Sequence, residues 1–272
     1  MSTTEDIRTT VSEHYAGRLR TGSCCTPDGD AQAAVKDVPL YDTTELVAVP
    51  TAAAENSFGC GNPTAIAGLK PGERVVDLGS GGGLDVFLAA RQVGSDGFVY
   101  GVDMTDEMLD LARANALQGG YTNVAFRKGH IEALPFDDQS ADVIISNCVI
   151  NLSPDKDQTL SETYRVLAPG GRLAISDIVI DGTLDDLPVQ ETEVRAALSW
   201  AGCIAGALTV EQYEHLLAAA GFGEIDIEIK HHYTLADLGQ DMESVAATLS
   251  PEIAAQLVQR FASANITAYR PE

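Results

Sequence analysis

A chain of 272 residues, 45% of them hydrophobic, is long enough for one large domain or for one domain with appendages. Forty acidic residues against 17 basic ones give a net charge of −23, which repels nucleic acid and anionic lipid and argues against either as a partner. The sequence has no apolar run of the roughly 18 residues that a membrane span needs, and Met1-Ser2-Thr3-Thr4-Glu5-Asp6 lacks the basic and apolar regions of a signal peptide.

In chain order, residues 3–19 have helical periodicity through Ile7, Val11, His14 and Tyr15. A loop follows at Gly22-Ser23-Cys24-Cys25-Thr26-Pro27-Asp28-Gly29-Asp30. Residues 35–51 show no period, and Asn56-Ser57-Phe58-Gly59-Cys60-Gly61-Asn62-Pro63 is a second loop, with Pro63 suited to open a short helix. The first 70 residues therefore read as an N-terminal cap of low regularity. From Pro71 onward strands and helices alternate, the pattern of a parallel sheet covered on both faces. Strands are expected at 74–78, 97–102, 124–128, 141–146 and 172–176. Between them lie helices from Leu84, over 105–118 with Thr105 as N-cap, and over 154–167. Helices at 191–200 and 209–220, the latter closed by Gly221, precede a strand at 224–229. Ser250-Pro251-Glu252 opens a further helix, and 266–270 returns as a final strand.

The first of these strands ends in Val75-Val76-Asp77-Leu78-Gly79-Ser80-Gly81-Gly82-Gly83-Leu84-Asp85. Glycines at such a strand end allow a tight turn and close approach of a ligand, because they carry no Cβ. Position 84, where a dinucleotide fingerprint needs Gly or Ala, is Leu, which argues against a nicotinamide cofactor. The loop resembles instead the Asp-x-Gly-x-Gly-x-Gly signature of class I S-adenosylmethionine-dependent methyltransferases. Asp103 ends the second strand, 24 positions after Gly79, where a carboxylate can accept hydrogen bonds from both ribose hydroxyls of a nucleoside. Gly129-His130-Ile131-Glu132-Ala133-Leu134-Pro135-Phe136 is similar to the segment that lies along adenine in that family, with His130 where many relatives carry Asp. Arg165-Val166-Leu167-Ala168-Pro169-Gly170-Gly171 resembles its turn before strand five. The resemblance implies S-adenosylmethionine as cofactor, held by Asp77, Gly79, Ser80, Gly81, Gly83, Asp103, Met104, His130, Ile131, Glu132 and Asn147. It also implies a doubly wound α/β fold with a mainly parallel, seven-stranded-type sheet. On that reading, 1–70 is the cap, 71–180 the cofactor-binding core, and 181–272 a C-terminal α/β extension.

The five cysteines stand at 24, 25, 60, 148 and 203, without a Cys-x-x-Cys pair. An odd number so scattered argues for reduced thiols in a cytoplasm rather than a secreted disulfide framework. The dispersed acidic residues form a solvated surface, and a salt-rich cytoplasm is one setting that would suit it. Cys148 follows the fourth strand, on the same sheet edge as Gly79 and Asp103, where a transferred methyl group should lie. Phe58-Gly59-Cys60-Gly61, the run from Ser146 through Asn147-Cys148-Val149-Ile150-Asn151-Leu152-Ser153-Pro154-Asp155 to Lys156, and Trp200-Ala201-Gly202-Cys203-Ile204-Ala205-Gly206-Ala207-Leu208 resemble the cysteine motifs of arsenite S-adenosylmethionine methyltransferases. Gly22-Ser23-Cys24 is similar to that family's N-terminal cysteine segment, and Gly101-Val102-Asp103-Met104-Thr105 to its ribose segment. The resemblance implies that Cys60, Cys148 and Cys203 hold trivalent arsenic while Cys24, or its neighbour Cys25, forms disulfides during turnover. It further implies arsenite or its thiol conjugates as substrate and a thiol or thioredoxin-like reductant as partner. Two other readings stand beside it: a carbon or oxygen methyltransferase of a small metabolite, such as a quinone-type ring, and a thiol metalloid sensor or sequestering protein without turnover.

Overall fold

The apolar run after Lys70-Pro71-Gly72-Glu73 forms β1 (Arg74–Leu78), which is buried from Val75 onward. In this computed structural model residues 4–21, 41, 49–55, 59, 61–185, 187, 204–234 and 251–272 are described. Among the described residues three helices precede β1: α1 (Thr4–Thr21), α2 (Thr51–Glu55) and α3 (Pro63–Ala67). Pro63 stands at the start of α3, and Asn62 caps it by accepting from the Ala65 amide. After β1 come α4 (Leu84–Val93), β2 (Phe98–Asp103), α5 (Asp106–Gly119), β3 (Val124–Lys128), β4 (Ala141–Asn147), α6 (Lys156–Val166) and β5 (Leu167–Ile180). The C-terminal part adds β6 (Leu208–Thr209), α7 (Val210–Ala220), β7 (Gly223–His232), α8 (Pro251–Val258) and β8 (Phe261–Tyr269).

The strands form one sheet in the order β3-β2-β1-β4-β5-β8-β7, with β6 paired to β5. The first five strands of that order are parallel, and β8 runs antiparallel to both β5 and β7. The chain leaves β1 for β2 and β3 on one side and returns to β4 on the other. Strand order therefore reverses at β1, and the crevice beyond the carboxyl ends of β1 and β4 is the ligand position of such sheets. Val75, Leu78, Val143, Ile144 and Ile145 are fully enclosed, as both faces of a helix-covered parallel sheet require.

Several boundaries differ from the sequence expectation. β5 is 14 residues long rather than five, because β8 pairs with it continuously from Arg172↔Tyr269 to Ile180↔Phe261. Past that ladder the Gly170 amide donates to the Arg270 carbonyl at 2.9 Å, so the expected turn at 168–171 is held as sheet. β8 accordingly begins at Phe261 rather than 266, and β7 extends to His232. α6 begins at Lys156, not at 154, since the Asp155 side chain accepts from the Gln158 amide. α7 starts in a capping box between Thr209 and Gln212. The helix expected at 191–200 lies outside the described residues. No helix among the described residues is long and apolar enough to cross a membrane.

Candidate active site

Between β1 and α4 the chain takes positive φ at Gly79 (66°), Gly81 (49°) and Gly83 (93°), a region that side chains enter at a steric cost. The turn is held from outside. Ser80 N–H donates to the Val102 carbonyl at 2.9 Å, and Gly81 N–H donates to Asp103 Oδ2 at 3.0 Å. The other oxygen of Asp103 accepts from the Thr105 amide at 2.8 Å. The Thr105 hydroxyl also turns to Asp103, so Thr105 begins α5 by position but makes no side-chain cap bond. Burial raises the Asp103 carboxyl above its usual range, and these hydrogen bonds oppose the rise.

The crevice, open solvent at its entrance included, spans about 1030 Å³ and is lined by residues from β1, β2, β4, the 129–132 segment and α1. Four acidic residues, Asp77, Asp85, Asp103 and Glu132, line it. Asp77 is 2% exposed; burial first, then the charges of Asp85 and Asp103, hold its carboxyl well above the ordinary range. Asp85 accepts from Tyr41 Oη at 2.9 Å and from Asn147 Nδ2 at 3.1 Å. Burial and then the Asp85 carboxylate push the Tyr41 hydroxyl well above its normal value. Of the described lysines and arginines only Arg8 lines the crevice, and it pairs with Glu132 at 3.1 Å. Enclosed carboxylates with so little cationic compensation favour a positively charged ligand. Among the described residues the buried Ser80 hydroxyl has no hydrogen-bond partner, and a Cβ at Gly81 would meet none of their atoms within 4 Å. A nucleoside bearing an ammonium and a sulfonium group, as S-adenosylmethionine does, fits this set.

Asp77, Gly79, Ser80, Gly81, Asp103, Met104, His130, Ile131, Glu132 and Asn147 all line the crevice. Gly83 does not; it opens α4, and a Cβ there would press on Phe87 and Phe126. The missing Cβ lets helix pack closely against sheet there, and Gly82 lines the crevice. Both Glu132 oxygens are engaged by protein, one by Arg8 and the other by Ser153 Oγ at 2.6 Å. Sequence reasoning missed Asp85 and Met108, and also Arg8, Val11 and Tyr15, by which α1 joins the wall. Asp85, two positions after the last loop glycine, carried a usable signal; Arg8, paired across 124 positions, carried none.

Cys148 lines the same crevice, 3% exposed, with φ at 57°. A non-glycine residue in the left-handed region costs about 1–3 kcal/mol and persists only where its surroundings enforce it. Here its amide donates to the Ser176 carbonyl at 2.8 Å, which turns the chain sharply out of β4. Cys148 is disulfide-bonded. Cys24, Cys25, Cys60 and Cys203 lie outside the described residues. The neighbours of two of them are described. Gly61 exchanges hydrogen bonds with Asn147, its amide donating to Oδ1 and its carbonyl accepting from Nδ2. Ile204 belongs to the apolar cluster that contains Cys148, Leu152, Ile178 and Val11.

Behind Cys148, Asp177 is fully buried and accepts from the Asn151 amide at 3.2 Å and from Tyr213 Oη at 3.2 Å. Asn151 Nδ2 donates to the Ile178 carbonyl at 2.7 Å, and Lys156 Nζ to the Asn151 and Ser153 carbonyls. The segment after Cys148 is thereby fastened to β5. Burial raises the Asp177 carboxyl to about 7. The folded state then binds more protons than the unfolded one between about pH 4 and 7, so this group's contribution to stability falls as pH rises through that window. The stability of the wild type relative to Asp177→Asn should decline by up to roughly 4 kcal/mol from pH 4 to pH 8. Urea unfolding of both proteins across that range measures it; a difference independent of pH would remove Asp177 as a titrating group.

A family model described as a methyltransferase domain matches residues 69–221. The chain is 43% identical to the arsenite methyltransferase of Halobacterium salinarum over 243 residues, covering 85% of this chain and 61% of that protein. It is 42% identical to the arsenite methyltransferase of Aquipseudomonas alcaligenes, over 75% of this chain and 57% of that one. The chain thus spans about three fifths of the length of the curated relatives it matches. The crystal structure of an arsenic(III) S-adenosylmethionine methyltransferase from Chlamydomonas reinhardtii superposes with a TM-score of 0.65 at 36% identity, covering 84% of this chain and 72% of that one. The chain belongs to the class I S-adenosylmethionine-dependent methyltransferases and, among them, to the arsenite methyltransferase family.

Proposed function

We propose that this protein methylates trivalent arsenic, as arsenite or methylarsenite, held by the thiolates of Cys60, Cys148 and Cys203 once the disulfide at Cys148 has been reduced. The observation that carries the reading is Cys148 at the crevice wall in an enforced left-handed conformation, with the flanks of Cys60 and Cys203 beside it. Asp103 and the glycine turn would hold the ribose side of S-adenosylmethionine, and the carboxylates of Asp77 and Asp85 suit its positive charges. When bound, S-adenosylmethionine supplies an electrophilic methyl group and leaves as S-adenosylhomocysteine.

Arsenic bound by three thiolates keeps its lone pair, so the chain needs no general base. Its residues have one main task, to hold arsenic in line with the methyl group at near-attack distance. Gaining the methyl raises arsenic formally to the pentavalent state. Two cysteine thiolates that close a disulfide return two electrons to it, a role assigned to Cys24 or Cys25 with a partner thiol. A small thiol or a thioredoxin-like reductant must then reopen the bond. Cytoplasmic residence would keep these thiols reduced between turnovers, and the charge of −23 suits a salt-rich interior. Purified protein supplied with arsenite, S-adenosylmethionine and a thiol should yield methylated arsenic and S-adenosylhomocysteine. Arsenite binding without either product would leave a sequestering protein.

A further inference from the structure

Asn147 has more polar work than a cofactor contact requires. The two N–H bonds of its Nδ2 are shared among the Gly61 carbonyl at 2.8 Å, Tyr41 Oη at 2.9 Å and Asp85 Oδ2 at 3.1 Å. Its Oδ1 accepts from the Gly61 amide at 3.3 Å. The amide cannot be reversed, because its oxygen would then face the Asp85 carboxylate and its NH₂ the Gly61 N–H. One side chain at the end of β4 thus grips a backbone segment 86 positions earlier and ties it to α4, which opens after the glycine turn. Two glycines make room for the grip. A Cβ at Gly59 would overlap the Asn147 amide, and a Cβ at Gly61 would overlap Ser176, the partner of Asn147 across the β4–β5 ladder. The residue between those glycines is Cys60, and the residue after Asn147 is Cys148.

We propose that Asn147 is a positioning residue for the thiol site, holding Gly59 and Gly61, which flank Cys60 in the sequence, against the end of β4 next to Cys148. This rests on the arsenic reading above for its purpose but not for its test. Releasing Gly59 and Gly61 changes the exposure of the thiol between them in sequence, whatever that thiol binds. In the reduced protein, Asn147→Ala should therefore speed iodoacetamide alkylation of Cys60, followed by mass spectrometry, by about tenfold, as expected for the loss of two backbone hydrogen bonds. Arsenite affinity should weaken by about the same factor, while affinity for S-adenosylhomocysteine changes by less than about threefold. A residue with only a structural role would lower the unfolding midpoint and weaken both ligands together.

Gly59→Ala supplies a second route, useful if Asn147→Ala does not fold. It should speed Cys60 alkylation with Asn147 in place, and adding Asn147→Ser, which shortens the opposing side chain, should reverse part of the gain. Unchanged Cys60 alkylation in folded Asn147→Ala, or in folded Gly59→Ala, overturns the proposal. So does a loss confined to S-adenosylhomocysteine binding, which would make Asn147 a cofactor contact. If wild-type protein fails to bind or methylate arsenite while the alkylation rates shift as stated, the arsenic reading fails and the role of Asn147 stands.

Discussion

Cys148→Ser is expected to reduce arsenite methylation by at least about a hundredfold, the scale on which misplacing a reacting group by an ångström slows a reaction. A hydroxyl matches the thiol in shape but is a poor ligand for a soft, thiophilic centre. The substitution leaves the backbone problem unchanged, since serine at φ 57° is no more strained than cysteine. The amide that donates to the Ser176 carbonyl is likewise retained. Cofactor affinity should stay within about threefold of wild type, because the carboxylates and the glycine turn are untouched. The measurement pairs a methylation assay with calorimetry of S-adenosylhomocysteine binding, both with the wild type reduced. Full methylation by Cys148→Ser would favour instead a methyltransferase of a small metabolite, one that needs no thiol here.

Asp103→Ala acts on the other half of the site. Its carboxylate is the acceptor for the Gly81 and Thr105 amides, so truncation removes the brace of the turn together with the proposed ribose acceptor. Charge-assisted hydrogen bonds of this kind contribute roughly 1.5–3 kcal/mol each. Cofactor affinity should therefore fall by about ten- to a hundredfold while arsenite still binds. Asp103→Asn is the informative companion. Its one oxygen can serve the Thr105 amide, but its NH₂ opposes the Gly81 N–H and cannot accept from it. If the turn brace matters as much as the ribose contact, Asn should be nearly as damaging as Ala. Unchanged calorimetric binding in both variants would remove Asp103 from the cofactor site.

The sequence by itself determined the parts whose causes are local. Positive φ at Gly79 and Gly81 needs glycine, and the chain has glycine there. β-branched runs with acidic ends mark β1 and β2, and the Thr209–Gln212 pair sets the start of α7. The resemblance of the run from Ser146 to Lys156 to the cysteine motifs of arsenite methyltransferases was enough to suggest thiol chemistry before any geometry. Tertiary structure decided the remainder. The ends of β5 and β8 depend on each other's ladder, which no local propensity in 167–171 or 261–265 expresses. At Gly83 the φ of 93° and the closeness of Phe87 and Phe126 both call for glycine. Glu132 is occupied by Arg8 from 124 positions away, and Asn147 by Gly61 from 86. Cys148 takes a conformation its residue type avoids because the Ser176 carbonyl receives its amide. A side chain's hydrogen-bonding capacity is visible in sequence, but the group that fulfils it is chosen by which distant segments the folded sheet brings within about 3 Å.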